Sequence, residues 1–386
     1  MSDTRCVLPW QSLSIDNMGR SRICCNSNAH YTGEHTVKIR DCATVAAAMD
    51  TPYHREVRDS MLRGERPVSC KKCWDMEDRG SRSFRQIWNA LLPQSDTVSP
   101  RYLDITLGNK CNLTCRMCNE WNSHLWQIDN KRLGRHTDRS ISDTFWFEDP
   151  LSRQLLMNAV PSATNINFLG GEPLIVEEQM DLLERCRDLG IADQIELSYN
   201  TNMTVLRPRQ LALWQHFKRV SISVSLDGVG AQNDYIRQNS RWSDITRNLA
   251  MIEANCDRVR MTVHATFGVL NALTLHELIA WSDAQSWFQG RLPWLNVVYF
   301  PDNQDTRCLP DVAKAVVQQR ITDAIAGRQA DDSYSSYTGA LNHMLQPAAS
   351  AAHWQHFWVQ AQEIDSLKRS NIGQSLPELW SYRPWQ

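Results

Sequence analysis

From residue 101 onward, short runs of apolar and β-branched residues closed by polar or glycine turns alternate with longer amphipathic stretches. YLDITLG (102–108), NINFLGG (165–171), QIELSYN (194–200), VSISVSLDG (220–228), RMTVHATFG (260–268) and WLNVVYFP (294–301) read as strands. Between them VEEQMDLLERCRDLG (176–190), closing on Gly190, and RWSDITRNLAMIEANC (241–256), starting near Ser240 as capping residue, read as helices. Strand-helix units in series imply parallel pairing through right-handed crossovers. Six such units are too few to close an eightfold barrel and suit a partial one, with its chemistry at the strand C-terminal ends where the βα loops gather. The expected fold class is α/β, a partial (β/α)6 TIM-like barrel over residues 99–308.

The flanks differ from this pattern. Residues 1–40 are turn-rich and cysteine-bearing, whereas DCATVAAAMD (41–50), HREVRDSMLRG (54–64) and SFRQIWNALL (83–92) look helical, and PQSDTVSP (93–100) has linker composition. Residues 1–98 therefore read as a small separate domain. After residue 308 the chain is mostly helical, with Trp354, Phe357 and Trp358 giving an apolar face, so 309–386 reads as a helical packing extension.

Composition narrows the function classes. Across 386 residues, 41 basic and 43 acidic side chains leave a net charge of −2, so nucleic acid is not indicated as a partner. The opening MSDTRCVLPW lacks a leader pattern, and no apolar stretch reaches the roughly eighteen residues that a membrane span needs. The expectation is a soluble cytoplasmic protein. In that reducing setting, twelve cysteines grouped unevenly point to metal or redox chemistry in preference to disulfides. Cys42, Cys186, Cys256 and Cys308 stand alone and read first as small buried apolar residues, with Cys308 an ordinary loop thiol.

CNLTCRMC (111–118) places three thiols, Cys111, Cys115 and Cys118, in one loop directly after the first strand of this series. Zinc and iron-sulfur clusters both accept such ligands. A structural zinc site closes with a fourth, whereas a 4Fe-4S cluster on three thiolates keeps one iron open for a reactant. Further polar motifs sit at later strand ends: GGEP (170–173), SYNTN (198–202), and SLDG (225–228) followed by DYIR (234–237). A second cysteine set, Cys6 and Cys24 around Gly19 with Cys70 and Cys73 beyond, has spacing compatible with zinc or a cluster, and Cys25 competes with Cys24 for one place.

In this order the motifs resemble those of the radical S-adenosylmethionine enzymes. The resemblance implies that Cys111, Cys115 and Cys118 hold a 4Fe-4S cluster whose open iron is chelated by S-adenosylmethionine. It implies that Gly170, Gly171 and Glu172 receive the methionine ammonium, Asn200 the ribose, Ser225 and Arg237 the carboxylate, and Met117 the adenine; Asp227 would hold its loop or touch substrate. His264 and YFPD (299–302) are lesser candidates for the adenine side. The N-terminal set, with the string CKKCWDMEDRGSRSFR (70–85), is similar to the auxiliary-cluster domains called SPASM and twitch, which implies a second 4Fe-4S cluster on Cys6, Cys24, Cys70 and Cys73. Lys71, Lys72, Arg79, Arg82 and Arg85 in that string read by default as solvated charges.

The implied activity is reductive cleavage of S-adenosylmethionine and hydrogen-atom abstraction from substrate, with electrons from a flavodoxin or ferredoxin and the auxiliary cluster for electron transfer. A peptide or protein side chain is the implied substrate; a carbohydrate, nucleotide or other small-molecule precursor is the alternative. Residues 119–149, with Trp121, Trp126, Trp146 and Phe147, could cover the barrel mouth or simply pack. The rival class is a non-enzymatic zinc- or cluster-stabilised interaction module.

Overall fold

The computed structural model describes residues 4–27, 37–78, 82–135, 145–329, 331–348, 350 and 352–385. Eight strands form one sheet: β1 (Ser12–Ile15), β2 (Ser21–Arg22), β3 (Tyr102–Thr106), β4 (Asn165–Leu169), β5 (Glu196–Thr201), β6 (Arg219–Ser225), β7 (Val259–Phe267) and β8 (Trp294–Val297). Their order is β2-β1-β3-β4-β5-β6-β7-β8. The six strands read from sequence are β3 to β8, laid down in chain order. Pairing is parallel at β1-β3, β3-β4, β4-β5 and β7-β8 and antiparallel at β1-β2. The fold is mixed α/β, and the strand order has two edges, as a partial barrel requires.

The sheet is longer than the sequence suggests. SLSI (12–15), in the turn-rich N-terminal segment, extends it beside β3 with Ser14 opposite Asp104 and Ile15 opposite Ile105. A four-residue strand leaves too short a period to be read from sequence alone.

Alternation is what distinguishes the two faces. In β6 the side chains of Val220, Ile222 and Val224 are buried, and in β7 those of Val259, Met261, Val263, Ala265 and Phe267, while Ser223, Ser225, His264 and Thr266 between them are half-buried. Parallel strands covered on both faces read as continuous apolar runs; these do not, so one face stays polar. Each fully buried Val, Ile or Phe on the other face contributes roughly 1.5–3 kcal/mol.

The chain divides into two compact units. The first comprises Met1–Lys110, Arg139–Tyr199 and Ala212–Val220, the second Cys111–Asp138, Asn200–Leu211 and Ser221–Gln386. In the first, Leu8, Trp10, Tyr53, Val57, Met61, Trp74, Trp88 and Tyr102 pack as one core around Cys6 and Cys24. Trp88 stacks on Tyr102 at 3.9 Å between ring centres. Its helix, Phe84–Leu91, starts at a capping box in which the Ser83 hydroxyl accepts from the Gln86 N–H and the Gln86 side chain accepts from the Ser83 N–H.

In the second unit the helix Trp242–Asn255 is capped differently from the sequence reading. Asp234 supplies the cap, its carboxylate accepting from the Trp242 N–H at 3.0 Å and from the Ser240 hydroxyl at 2.8 Å. The tail carries helices Asp311–Ile325, Asp332–Met344 and Ala352–Lys368. Among the described residues no helix is long and apolar enough to cross a membrane.

Candidate active site

Immediately after β3, Gly108 turns the chain with φ +72° into the three-cysteine loop. The base of that turn is a continuation of the β3-β4 ladder: Leu107 N–H donates to Leu169 O at 2.8 Å, Gly171 N–H to Gly108 O at 3.0 Å and Glu172 N–H to Lys110 O at 2.8 Å. Here lies the physical need for two glycines. Gly170 has φ +141°, and a Cβ on Gly171 would stand 2.4 Å from the Lys110 carbonyl oxygen. Their close approach is to residues 107–110 of the chain itself. Glu172 is buried, and its carboxylate accepts from the Leu174 N–H at 3.0 Å.

In the second unit the loop is framed by the helix that follows it, His124–Arg132. The Cys111 N–H donates to His124 Nδ1 at 3.2 Å, which assigns that ring its Nε2–H tautomer. Ser123 Oγ donates to Leu113 O at 2.7 Å, and Trp126 Nε1 to Cys115 O at 3.0 Å. The Leu113 N–H points at Cys111 Sγ at 3.4 Å. Across the loop, the Thr114 and Arg116 N–H groups donate to Gln238 O and Ile236 O at 3.1 and 2.8 Å. The loop backbone is therefore held at several points on both sides.

Arg237 lies within electrostatic reach of Cys115, Cys118 and Cys111, and its Nε is 2.7 Å from Asp227 Oδ2. Asp227 is fixed in turn: its Oδ1 accepts from Thr266 N–H at 2.6 Å, and its own N–H donates to Asn233 Oδ1 at 3.1 Å. Burial opposes the charge on Arg237, yet the Asp227 carboxylate and the cysteines hold it above its ordinary value. Burial also pushes the Cys118 thiol up to about 12, with Cys115 adding to the rise and Arg237 opposing it. One buried and two half-buried thiols beside a retained cation suit thiolate ligation of a metal.

The second cysteine set assembles in the first unit. Cys6, Cys24, Cys70 and Cys73 line one cavity, walled by Leu8, Ile23, Met61 and Phe84 with Arg85 at its side. Burial pushes Cys6 and Cys24 well up, and each feels the charge of the others. Cys25 is absent from that lining, and burial first and the Asp104 carboxylate next push its thiol up. The string from Cys70 to Arg85 folds into a bracket for this cavity: Arg85 Nε donates to Glu77 at 2.9 Å, Ser83 Oγ also donates to Glu77, and the Arg85 guanidinium lies 4.7 Å over Trp74. Lys71 is ion-paired with Asp75 at 2.5 Å. Arg79, Gly80 and Ser81 of the string lie outside the described residues. Among the described residues no group of three His, Cys, Asp or Glu is drawn up around a single ion position; what the four thiols share is a cavity. The twelve cysteines form no disulfide.

Residues 105–279 match the family model described as the Radical SAM superfamily. The match covers 175 of the 386 residues and makes this segment similar to that superfamily. Members of that superfamily are enzymes that hold a 4Fe-4S cluster and S-adenosylmethionine. No curated protein matches the chain. Two solved structures of SuiB from Streptococcus suis are similar to it. The one bound to S-adenosylmethionine shares 13% identity at TM-score 0.38 over 75% of this chain and 56% of that chain. The one bound to the precursor peptide SuiA shares 12% identity at TM-score 0.38 over 92% of this chain and 78% of that chain. This chain thus spans a little over half, 56%, of the first.

The remaining sequence candidates are spread over strands and loops. Asn200 is exposed in β5, Ser225 half-buried at the end of β6 and Met117 half-buried in the cysteine loop. His264 is pushed down to about 4 by burial, its Nε2 3.2 Å from Ser223 Oγ. Tyr299 and Phe300 are exposed by 64% and 68%. Of the aromatic residues in 119–149, Trp126, Trp146 and Phe147 are buried and Trp121 is exposed; residues 136–144 lie outside the described residues. Sequence reasoning misses His124, Trp126 and Arg116 as holders of the loop. Only the placement of Arg116 between two cysteines signals such a role in the sequence.

Proposed function

We propose that this chain is a radical SAM enzyme with a SAM-cleaving cluster on Cys111, Cys115 and Cys118 and an auxiliary 4Fe-4S cluster on Cys6, Cys24, Cys70 and Cys73. The observation that carries this is the sorting of seven cysteines into two groups, three beside Arg237 and four around one cavity. When bound, the cluster and S-adenosylmethionine supply reductive cleavage to methionine and a 5′-deoxyadenosyl radical that takes a hydrogen atom from substrate.

In this reading the chain's own residues hold and orient. His124, Trp126 and Ser123 hold the loop backbone that carries the three sulfurs. Arg237, oriented by Asp227, offers its guanidinium to the carboxylate of S-adenosylmethionine, and Ser225 offers a hydroxyl. Gly170, Gly171 and Glu172 shape the ammonium side, Asn200 the ribose side and Met117 the adenine contact. Residues 1–98 carry the auxiliary cluster, 99–308 the barrel and 309–386 the extension. A flavodoxin or ferredoxin would be the electron donor in the cytoplasm, and Cys6, Cys24, Cys70 and Cys73 would hold the auxiliary cluster that supplies electron transfer. The substrate is a peptide or protein side chain, with a small-molecule precursor as the alternative.

The test is anaerobic purification. Two clusters require about eight irons per chain, and a reductant with S-adenosylmethionine releases 5′-deoxyadenosine. A colourless protein holding zinc overturns the reading and leaves the interaction module in its place.

A further inference from the structure

We propose that Asp365, on the C-terminal helix Ala352–Lys368, is a positioning residue for the three-cysteine site, acting through Arg116 of the cysteine loop; this rests on the function proposed above. Arg116 lies between Cys115 and Met117, and its side chain is 2% exposed. A guanidinium that deep persists only where its charge and hydrogen bonds are met. Its Nη2 donates to Asp365 Oδ1 at 2.6 Å and to Ser370 Oγ at 2.7 Å, and its Nε to Tyr235 O at 3.0 Å. The Tyr235 ring lies 3.8 Å beneath it.

Asp365 is itself immobilised. Oδ1 also accepts from the Tyr235 hydroxyl at 3.0 Å and the Ser370 hydroxyl at 2.9 Å, and Oδ2 accepts from the Ile372 N–H at 2.6 Å. Both backbone groups of Arg116 are bound as well, its N–H to Ile236 O and its C=O to Gln304 Nε2 at 2.5 Å. A residue held at backbone and side chain together transmits the position of the tail to the sulfurs on either side of it.

The same tail helix grips the helix that frames the loop. Lys368 pairs with the buried Asp129, and Glu363 with Arg135 at 2.6 Å. Trp126, which holds the Cys115 carbonyl, stands on that framing helix. One guanidinium nitrogen, Arg116 Nη1, has no hydrogen-bond partner. Apolar side chains fill a purely structural core position without that penalty, so an arginine kept here signals a demand on geometry.

The experiment uses the full chain, purified anaerobically, in three forms: wild type, the apolar double variant Arg116→Met with Asp365→Leu, and Asp365→Glu. Apolar replacement of a buried pair commonly preserves folding. The expected result is an unchanged melting temperature in the double variant, iron falling to about half, from about eight to about four per chain, and loss of the change that S-adenosylmethionine produces in the electron paramagnetic resonance of the reduced protein. Asp365→Glu should restore part of that change. Full iron with a normal S-adenosylmethionine response in the double variant overturns the proposal. Parallel loss of both clusters with a lowered melting temperature also overturns it, since the pair then only stabilises the fold. Absence of iron from the wild type is a different failure, that of the proposed function itself.

Discussion

The two cysteine groups are built by opposite means. Cys111, Cys115 and Cys118 lie within eight residues, so the chain brings them together locally and the surrounding structure has only to hold one loop still. Cys6, Cys24, Cys70 and Cys73 come from separate stretches, and an apolar core with Trp74, Trp88 and Tyr102 gathers them. Each group nevertheless has a buried arginine-carboxylate pair at its side: Arg237 with Asp227, and Arg85 with Glu77 at 2.5 Å. A buried guanidinium beside thiols favours the thiolate state, and its carboxylate keeps the cation in place. The difference is in access. On the proposed function the loop would leave one coordination place for a ligand, and the four cavity thiols would fill all of theirs from the protein.

The largest effect that breaks this comparison is a cysteine exchange. Cys115→Ala should lower iron from about eight to about four per chain and abolish 5′-deoxyadenosine release. Cys24→Ala should lower iron by the same amount while leaving release intact. Loss of release in Cys24→Ala would merge the two groups into one functional unit.

A smaller but still severe effect is expected at the base of the loop. In Gly171→Ala the new methyl must displace the Lys110 carbonyl from 2.4 Å. Overpacking of this kind destabilises by about 1–3 kcal/mol, read in denaturant unfolding. A shift of the loop by about 1 Å should slow 5′-deoxyadenosine release by about a hundredfold. Unchanged release would show that the glycine pair does not set the loop.

Acid sensitivity sharpens the comparison at the level of the units. His54 in the first and His264 in the second are both pushed down to about 4 from 6.5, chiefly by burial. The unfolded chain therefore takes up these protons first, and stability drops as pH falls from about 6.5 to about 4. His54→Gln should flatten that slope by at most about 1.4 kcal/mol per pH unit, measured by urea titration. An unchanged slope would remove His54 from the account.

The smallest effect is a control away from both groups. A Cβ at Gly339, in the helix Asp332–Met344, meets nothing within 4 Å. Gly339→Ala should stabilise by about 0.5–1 kcal/mol with no change in iron content.

Much of the scaffold is legible in the sequence, for local reasons. β6 and β7 carry period-two patterns of seven and nine residues, long enough to outvote noise, and Gly190 and Gly64 adopt the positive φ that ends a helix. Strand β1 escapes such a reading because four residues carry too little pattern, and Ser240 is mistaken for a cap because Asp234 reaches the same N–H from another element. The tail reads as packing because no spacing along the chain joins Arg116 to Asp365.

By itself, then, the sequence determined the order of the strands, the loop that follows β3 and the three thiols within it, because each depends on neighbours a few bonds away. Which of Cys24 and Cys25 lines the cavity, that Gly171 presses on Lys110, that Arg237 lies within electrostatic reach of three thiols and that Asp365 grips Arg116 were decided by tertiary structure. These are contacts across long stretches of chain. Their partners are selected by burial and by the need of each buried charge for a counter-charge, and neither is written in local spacing.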